Sequence, residues 1–251
     1  MSDGHTHAEH YPGPLHNPPV KAGEARTLHE PHPHHPKLQH HFDSMDQQLE
    51  ASTLGMWVFL VTEIMFFGGL FMAYLMYRWA NPGAFQDASA HLDKFWGAVN
   101  TVVLIVSSLT MAMAVRSAQT SAKPKTLVAW LLATMAFGTV FLGVKYVEYA
   151  QKFEHHLVPG YNFQWATPEN AAGAEIFYSL YFCMTGLHAI HMIIGLGLMA
   201  VITVMAWRGK FDASYFTPVE VSGLYWHFVD IVWIFLFPLL YLIGAHYGAG
   251  H

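Results

Sequence analysis

Five ionisable side chains lie inside long apolar stretches of the sequence. They are Glu63, His188, His191, His227 and Asp230. Such a residue inside a membrane span usually faces the protein interior and serves in proton transfer, ligand binding or hydrogen bonding between helices. A carboxyl group surrounded by hydrocarbon favours its neutral form. Glu63 is therefore either a proton-handling group or a protonated structural acid, and the residues alone leave both interpretations open.

Four of these residues form two pairs at helical spacing. His188 and His191 are three residues apart, as are His227 and Asp230, so each pair is predicted to share a helix face. Two histidines could ligate a metal ion or haem iron only with further ligands from other elements, and we favour hydrogen bonds between helices. We interpret His227 and Asp230 as a structural pair. We assign no catalytic residue and no metal ligand to the chain.

The elements that must position these groups are hydrophobic all round. Of the 251 residues, 53% are hydrophobic and 12% are charged, whereas soluble domains carry about 25% charged residues. A membrane span needs about 20 apolar residues. An all-α, polytopic bundle of five transmembrane helices is predicted, at residues 54–77, 95–115, 127–147, 176–207 and 221–245. Lys145 and Glu148, at the end of the third span, are predicted to lie at the membrane interface.

The distribution of positive charge predicts the orientation of the chain. With a cytoplasmic N-terminus, the inside segments would hold eight lysines and arginines, and the outside segments would hold Arg78, Lys94, Lys145 and Lys152. This bias favours the N-terminus inside and the C-terminus outside. A net charge of −5 without a basic patch excludes nucleic acid as a partner. The single cysteine, Cys183, excludes an internal disulfide.

The polar segments outside the spans are short, apart from the N-terminal tail. Residues 1–45 are rich in proline and residues 1–41 hold ten of the eighteen histidines, which predicts a solvated, mostly disordered tail or one packed on a partner. Residues 46–248 are predicted to form the membrane domain. Residues 42–53 are predicted to contain a short interfacial helix, and the stretch from about Tyr149 to Ala174 a surface excursion. Small residues four apart, such as Gly69 with Ala73, predict close helix approach.

Several segments together resemble subunit III of haem–copper respiratory oxidases. In chain order they are Glu63-Ile-Met-Phe-Phe-Gly-Gly-Leu-Phe-Met-Ala-Tyr, Asn100-Thr-Val-Val-Leu, Glu148-Tyr, Thr185-Gly-Leu-His-Ala-Ile-His-Met-Ile-Ile-Gly and Tyr225-Trp-His-Phe-Val-Asp-Ile-Val-Trp. The resemblance runs through all five spans, from about residue 50 to 245. Longer members of the family have seven helices that enclose a lipid-filled cleft. This chain lacks the first two and resembles the five-helix bacterial form, so such a cleft would need helices from another subunit.

The resemblance implies an accessory role beside subunit I, which holds the haems and copper, reduces dioxygen to water and pumps protons. Subunit III supports proton uptake and helps to keep subunit I from inactivating. Glu63 matches the buried, carbodiimide-reactive glutamate of the family, and His188 or His191 matches a histidine near it. Arg208 is similarly implied to contact a lipid headgroup. The chain itself would bind no haem or copper, and phospholipid is a candidate ligand.

Two other functions stay open at this point. The chain could be an accessory subunit of a nitric-oxide reductase, which resembles the same family. It could also be an independent proton-coupled transporter that uses Glu63 and Asp230. Transporters usually show repeat symmetry and broken spans, and five continuous spans without an internal repeat argue against this function.

Overall fold

The computed structural model describes residues 41, 42, 44–120, 123–160, 163–211 and 215–242, and the fold is given for these residues. Its helices are α1 (Met45–Ala80), α2 (Pro82–Ala90), α3 (Lys94–Gln119), α4 (Pro124–Glu154), α5 (Ala171–Trp207) and α6 (Thr217–Tyr241), with a 3₁₀ turn at Pro168–Asn170. Five of these helices are long and apolar enough to cross a membrane. The prediction of an all-α bundle with five spans is therefore confirmed, and the orientation of its ends stays a prediction.

The first span is longer than its apolar stretch. Ser44 caps α1 by accepting a hydrogen bond from the backbone N–H of Gln47 (3.1 Å), and the helix then continues without a break to Ala80. The short helix predicted within residues 42–53 is present from Met45 as the first part of α1, and its place at the membrane interface stays a prediction. No glycine or proline stands between Ser44 and Leu54 to interrupt the helix. At 1.5 Å per residue, α1 is roughly 54 Å long.

The ends of other helices also differ from the predicted ones. The helices α4 and α5 extend into the stretch predicted as a surface excursion, which leaves residues 155–170 between them. The last span begins at Thr217 instead of 221, with a proline in its first turn, a position where the missing N–H has no cost. The sequence did not predict α2, which starts with Pro82. The polar tail up to residue 40 and the C-terminal residues from 243 lie outside the described residues.

The helix α6 occupies the centre of the bundle. It packs against α1, α3 and α5, while α3 packs against α4 and α4 against α5. The helix α1 packs against α5 and α6, and also touches α2. Many of its large apolar side chains, such as Trp57, Ile64 and Met65, remain exposed. The face of α6 that lies between α1 and α3 is likewise open to the outside, as the exposure of Ile231 and Ile234 shows.

Two of the glycines that permit close helix contacts adjoin Trp226. A Cβ atom at Gly138 would lie 2.8 Å from the Trp226 ring, and one at Gly195 would lie 2.9 Å from it. The buried indole Nε1–H donates to Ser107 Oγ (2.9 Å), so its polar atom is satisfied. A Cβ atom at Gly69 would meet nothing within 4 Å. Helices therefore approach closely around Trp226, whereas Gly69 of the predicted pair makes no such contact.

Hydrogen bonds from α1 and α2 stabilise the C-terminal end of α6. The Tyr74 hydroxyl donates to the carbonyl of Leu239 (2.7 Å), and the Ser89 hydroxyl donates to the carbonyl of Leu240 (2.7 Å). The last four carbonyl groups of a helix receive no hydrogen bond from within the helix. These two bonds therefore fix the position of α2 and of the outer part of α1 relative to α6.

Candidate functional site

Glu63 of α1 and His191 of α5 form a pair between two spans. Glu63 Oε2 lies 3.2 Å from His191 Nε2, and the side chains are 19% and 13% exposed, respectively. His191 Nδ1 lies 2.9 Å from the carbonyl of Leu187, and the Tyr225 hydroxyl donates to the carbonyl of His191 (3.0 Å). The expectation that Glu63 lies within hydrogen-bond reach of a histidine is confirmed.

The geometry of His191 determines where its protons lie. A carbonyl oxygen only accepts, so Nδ1 carries the hydrogen that bonds to Leu187. His191 Nε2 then either accepts a proton from a neutral Glu63 carboxyl group or, as an imidazolium, donates one to the carboxylate. Both states contain the same number of protons, and they differ only in the position of one proton along the 3.2 Å contact. This arrangement can hold and transfer a proton; its use in proton handling stays a prediction.

His188 is placed differently from His191. It is 1% exposed, and neither ring nitrogen has a hydrogen-bond partner among the described residues. Its ring instead packs against Phe141 and Trp233, with centroid distances of 5.4 and 5.3 Å. The predicted interhelical hydrogen bonding is therefore confirmed for His191 and wrong for His188. Three residues correspond to a rotation of about 60° around a helix, enough for His188 to face α4 and α6 while His191 faces α1.

His227 and Asp230 also differ from the prediction, because His227 pairs with a residue of another helix. His227 Nδ1 lies 2.7 Å from Ser108 Oγ of α3, and neither carboxylate oxygen of Asp230 has a hydrogen-bond partner in the described part of the chain. The prediction of a structural His227–Asp230 pair is therefore wrong. Both residues line a groove between α3 and α6. The hydrogen-bond partner of His227 is the Ser108 hydroxyl on α3 and not the Asp230 carboxylate.

A buried ionic cluster joins α4, α5 and α6, and the sequence did not predict it. Lys145 Nζ donates to Glu148 Oε2 (2.9 Å), to the Tyr241 hydroxyl (2.9 Å) and to the Tyr181 hydroxyl (3.2 Å). Both tyrosines donate in turn to Glu148 Oε1. Lys145 is 4% exposed and Glu148 is 5% exposed. Both side chains are therefore buried among the helices, and their depth at the membrane interface stays a prediction.

The cluster is internally complete. An ammonium group has three protons, and the three protons of Lys145 each have an acceptor. The ammonium nitrogen also lies 5.0 Å from the ring centroid of Trp233 and 5.2 Å from that of Tyr181, within range of cation–π attraction. The spacing of Lys145 and Glu148 was visible in the sequence, but the tyrosines are 36 and 96 residues from Lys145. This cluster fixes three helices relative to one another.

The remaining predicted site residue, Arg208, lies at the end of α5. It is exposed and follows Trp207 as the C-terminal cap of that helix, so its guanidinium can reach the surface of the bundle. Contact with a lipid headgroup stays a prediction. Among the described residues, no group of three or more histidine, cysteine, aspartate or glutamate side chains could hold a metal ion.

Five apolar spans, with polar contacts in their interior, define this chain as a multi-pass helical membrane protein. Residues 39–245 match the family described as cytochrome c oxidase subunit III, and the chain belongs to this family. The resemblance drawn from its motifs is thereby confirmed. The match extends through all five spans and includes each of the polar groups described above.

Relatives within the family align along nearly their whole length. The chain is 32% identical to cytochrome c oxidase subunit 3 of Thermostichus vulcanus over 208 residues, which cover 80% of this chain and 92% of the relative. It is 31% identical to cytochrome bo(3) ubiquinol oxidase subunit 3 of Pseudomonas aeruginosa over 211 residues, covering 83% and 93%. It is 28% identical to the probable quinol oxidase subunit 3 of Staphylococcus haemolyticus over 208 residues, covering 82% and 95%. The chain is thus similar to subunit III of both cytochrome c and quinol oxidases.

Proposed function

We propose that this chain is the non-catalytic subunit III of a haem–copper terminal oxidase and binds subunit I of that oxidase in a bacterial cytoplasmic membrane. The observation that carries the proposal is the family match over residues 39–245, through all five spans. In this assignment subunit I holds the haems and copper and reduces dioxygen. This chain contributes a helical surface and polar groups beside it.

Within the complex, the chain supports proton uptake and protects subunit I from inactivation during turnover. The Glu63–His191 pair supports the first role, because it can hold a proton in two positions within the apolar part of the bundle. The completed Lys145 cluster supports the second role, since it keeps α4, α5 and α6 in a fixed arrangement against which a partner can pack. We assign phospholipid as a ligand, with its headgroup at Arg208.

Co-purification tests the partner. The chain, carrying an affinity tag, is extracted from its own membrane in a mild detergent, and the bound proteins are identified by mass spectrometry together with the haem absorption spectrum. We expect a haem-bearing subunit in a 1:1 ratio with the chain and oxygen consumption by the complex. Absence of that subunit, or a Soret band retained by the chain after its partners are removed, would contradict the proposal.

The same preparation separates the alternative functions. A co-purified large subunit that reduces nitric oxide and not dioxygen would assign the chain to a reductase. Proton flux through liposomes that contain this chain alone would indicate an independent transporter. We expect neither result.

A further inference from the structure

Asp230 is a buried acid with incomplete hydrogen bonding. It lies near the middle of α6 (Thr217–Tyr241) and is 2% exposed. Neither carboxylate oxygen has a hydrogen-bond partner among the described residues. An unsatisfied polar group in an apolar environment costs about 1–3 kcal/mol, and more when it is charged. The chain alone therefore leaves this carboxyl group in need of a further hydrogen-bond partner.

The neighbouring polar side chains do not complete the hydrogen bonding of the Asp230 carboxyl group. Ser108 lines the same groove as Asp230, and its hydroxyl oxygen lies 2.7 Å from His227 Nδ1. A serine hydroxyl has one proton. Even if this proton turned toward Asp230, at least one carboxylate oxygen would still lack a donor. Glu63 differs in this respect, because His191 of the same chain contacts its carboxyl group.

Asp230 lines a groove that opens to the outside of the bundle. The groove lies between α3 and α6, has a volume of about 390 Å³, and is otherwise lined mainly by apolar side chains: Leu104, Ile105, Leu109, Ala112, Ile231 and Ile234. Lipid acyl chains offer no hydrogen-bond donors. Lipid tails would therefore not satisfy the carboxyl group.

We propose that the groove between α3 and α6 packs against a transmembrane helix of subunit I, and that this helix places a hydrogen-bond donor on Asp230. A hydroxyl, amide or cationic side chain would provide the required chemistry. The inference rests on the proposed function, because it takes subunit I as the partner. It goes further because it assigns the contact with subunit I to one face of the bundle and to one residue. The apolar rim, with Ile231, Ile234 and Leu109 exposed, provides the surrounding packing surface.

Site-specific photo-cross-linking in the complete oxidase tests which face is covered. We would place p-benzoylphenylalanine at Ile231 of the groove and, as a matched control, at Ile190 of α5. The two isoleucines are 51% and 53% exposed, and each adjoins one of the buried ionisable residues, Asp230 and His191. We expect Ile231 to yield a cross-link to subunit I at least tenfold more abundant than Ile190. Cross-links from Ile190 alone, or from Ile231 to a second copy of this chain or to lipid only, would overturn the inference.

Two variants of Asp230 test the hydrogen bond itself. Asp230→Asn keeps an acceptor oxygen, whereas Asp230→Leu removes all hydrogen bonding and keeps the number and branching of the side-chain heavy atoms. After a detergent challenge, we expect Asp230→Leu to reduce the retained subunit I at least tenfold and Asp230→Asn to reduce it less than threefold. Equal retention by both variants would overturn the proposed donor. The cross-linking result covers the case in which Asp230→Leu does not fold, because it uses the native aspartate.

The two proposals fail in distinguishable ways. If the unmodified chain does not co-purify with a haem-bearing subunit, the proposed function is wrong, and this inference is wrong with it. If subunit I co-purifies but cross-links only to Ile190, the proposed function stands and the assignment of the groove alone is wrong.

Discussion

At the scale of single residues, the ionisable groups within the spans differ in how completely the chain satisfies them. Lys145 and Glu148 have a full set of partners inside the bundle. Glu63 has His191, whose Nε2 lies 3.2 Å from a carboxyl oxygen. Asp230 has only the Ser108 hydroxyl close to it among the described residues, and that hydroxyl also contacts His227. These differences separate a structural cluster, a pair capable of holding a proton, and a contact point for another protein.

Replacing Glu63 tests whether the Glu63–His191 pair serves in proton handling. A Glu63→Gln side chain can donate from its amide to His191 Nε2, so the contact with α5 remains while the exchangeable proton is lost. We expect co-purified subunit I to stay within about twofold of the wild-type amount and proton uptake during turnover to fall. Glu63→Leu, which removes both functions, is the control. Failure of Glu63→Gln to assemble would show that the residue is structural.

Replacing Lys145 tests the buried cluster. Lys145→Met leaves the Glu148 carboxylate buried without its cation, and removal of one partner of a buried ion pair costs about 3–5 kcal/mol. We expect the unfolding midpoint in detergent to fall accordingly. In the double variant Lys145→Met/Glu148→Gln neither member of the pair is charged, so it should be more stable than the single variant. A double variant less stable than Lys145→Met would contradict this account.

At the scale of helices, the central position of α6 depends on small residues in its neighbours. Trp226 lies between Gly138 of α4 and Gly195 of α5, and a methyl group at either glycine would come within 3 Å of the indole. Since both contacts are with an aromatic ring held by Ser107, the ring has little room to move. The distance between the helices is therefore determined at this level of the bundle.

Two glycines of α5 provide a matched test of this contact. Gly195→Ala places a Cβ atom 2.9 Å from the Trp226 ring, whereas Gly197→Ala meets nothing within 4 Å. Overpacking costs about 1–3 kcal/mol, and alanine in place of glycine stabilises a helix by up to about 1 kcal/mol. We expect Gly195→Ala to lower the thermal unfolding midpoint and Gly197→Ala to leave it equal or higher. Equal destabilisation by both would indicate that α5 needs glycine for another reason.

At the scale of the whole molecule, the chain presents large apolar surfaces on several helices, with exposed side chains on α1, α3, α5 and α6. In a membrane, lipid can cover most of these surfaces, because acyl chains are as apolar as leucine. Hydrogen-bonding groups distinguish one surface from another, since lipid tails cannot satisfy them. The groove at Asp230 is selected for this reason.

Removal of the whole chain tests its protective role. An oxidase stripped of this subunit and reconstituted into liposomes should begin turnover at a rate within about threefold of the intact complex. It should then lose activity after fewer catalytic cycles. Oxygen consumption recorded to completion gives both quantities, and adding back the purified chain is the control. If the stripped enzyme inactivated at the same rate as the intact complex, the protective role would be wrong.

Much of the fold could be predicted because membrane spans are local features. About 20 apolar residues suffice to identify a span, and all five spans were found in this way, although their ends differ by several residues. Helix ends depend on capping and on neighbouring elements, such as Ser44 before α1. The short helix α2 was missed because its placement depends on the contact of Ser89 with the distant Leu240.

The sequence by itself determined the number of spans, the family and the ionisable residues that lie within the spans, because hydropathy and motifs are properties of contiguous residues. Only the tertiary structure decided which of those residues meet. His191 faces Glu63 while His188 does not, and Lys145 and Glu148 become buried through tyrosines far along the chain. Helix spacing restricts a side chain to one face. The rotation and packing of neighbouring helices then determine whether that face meets a partner, a cavity or the outside.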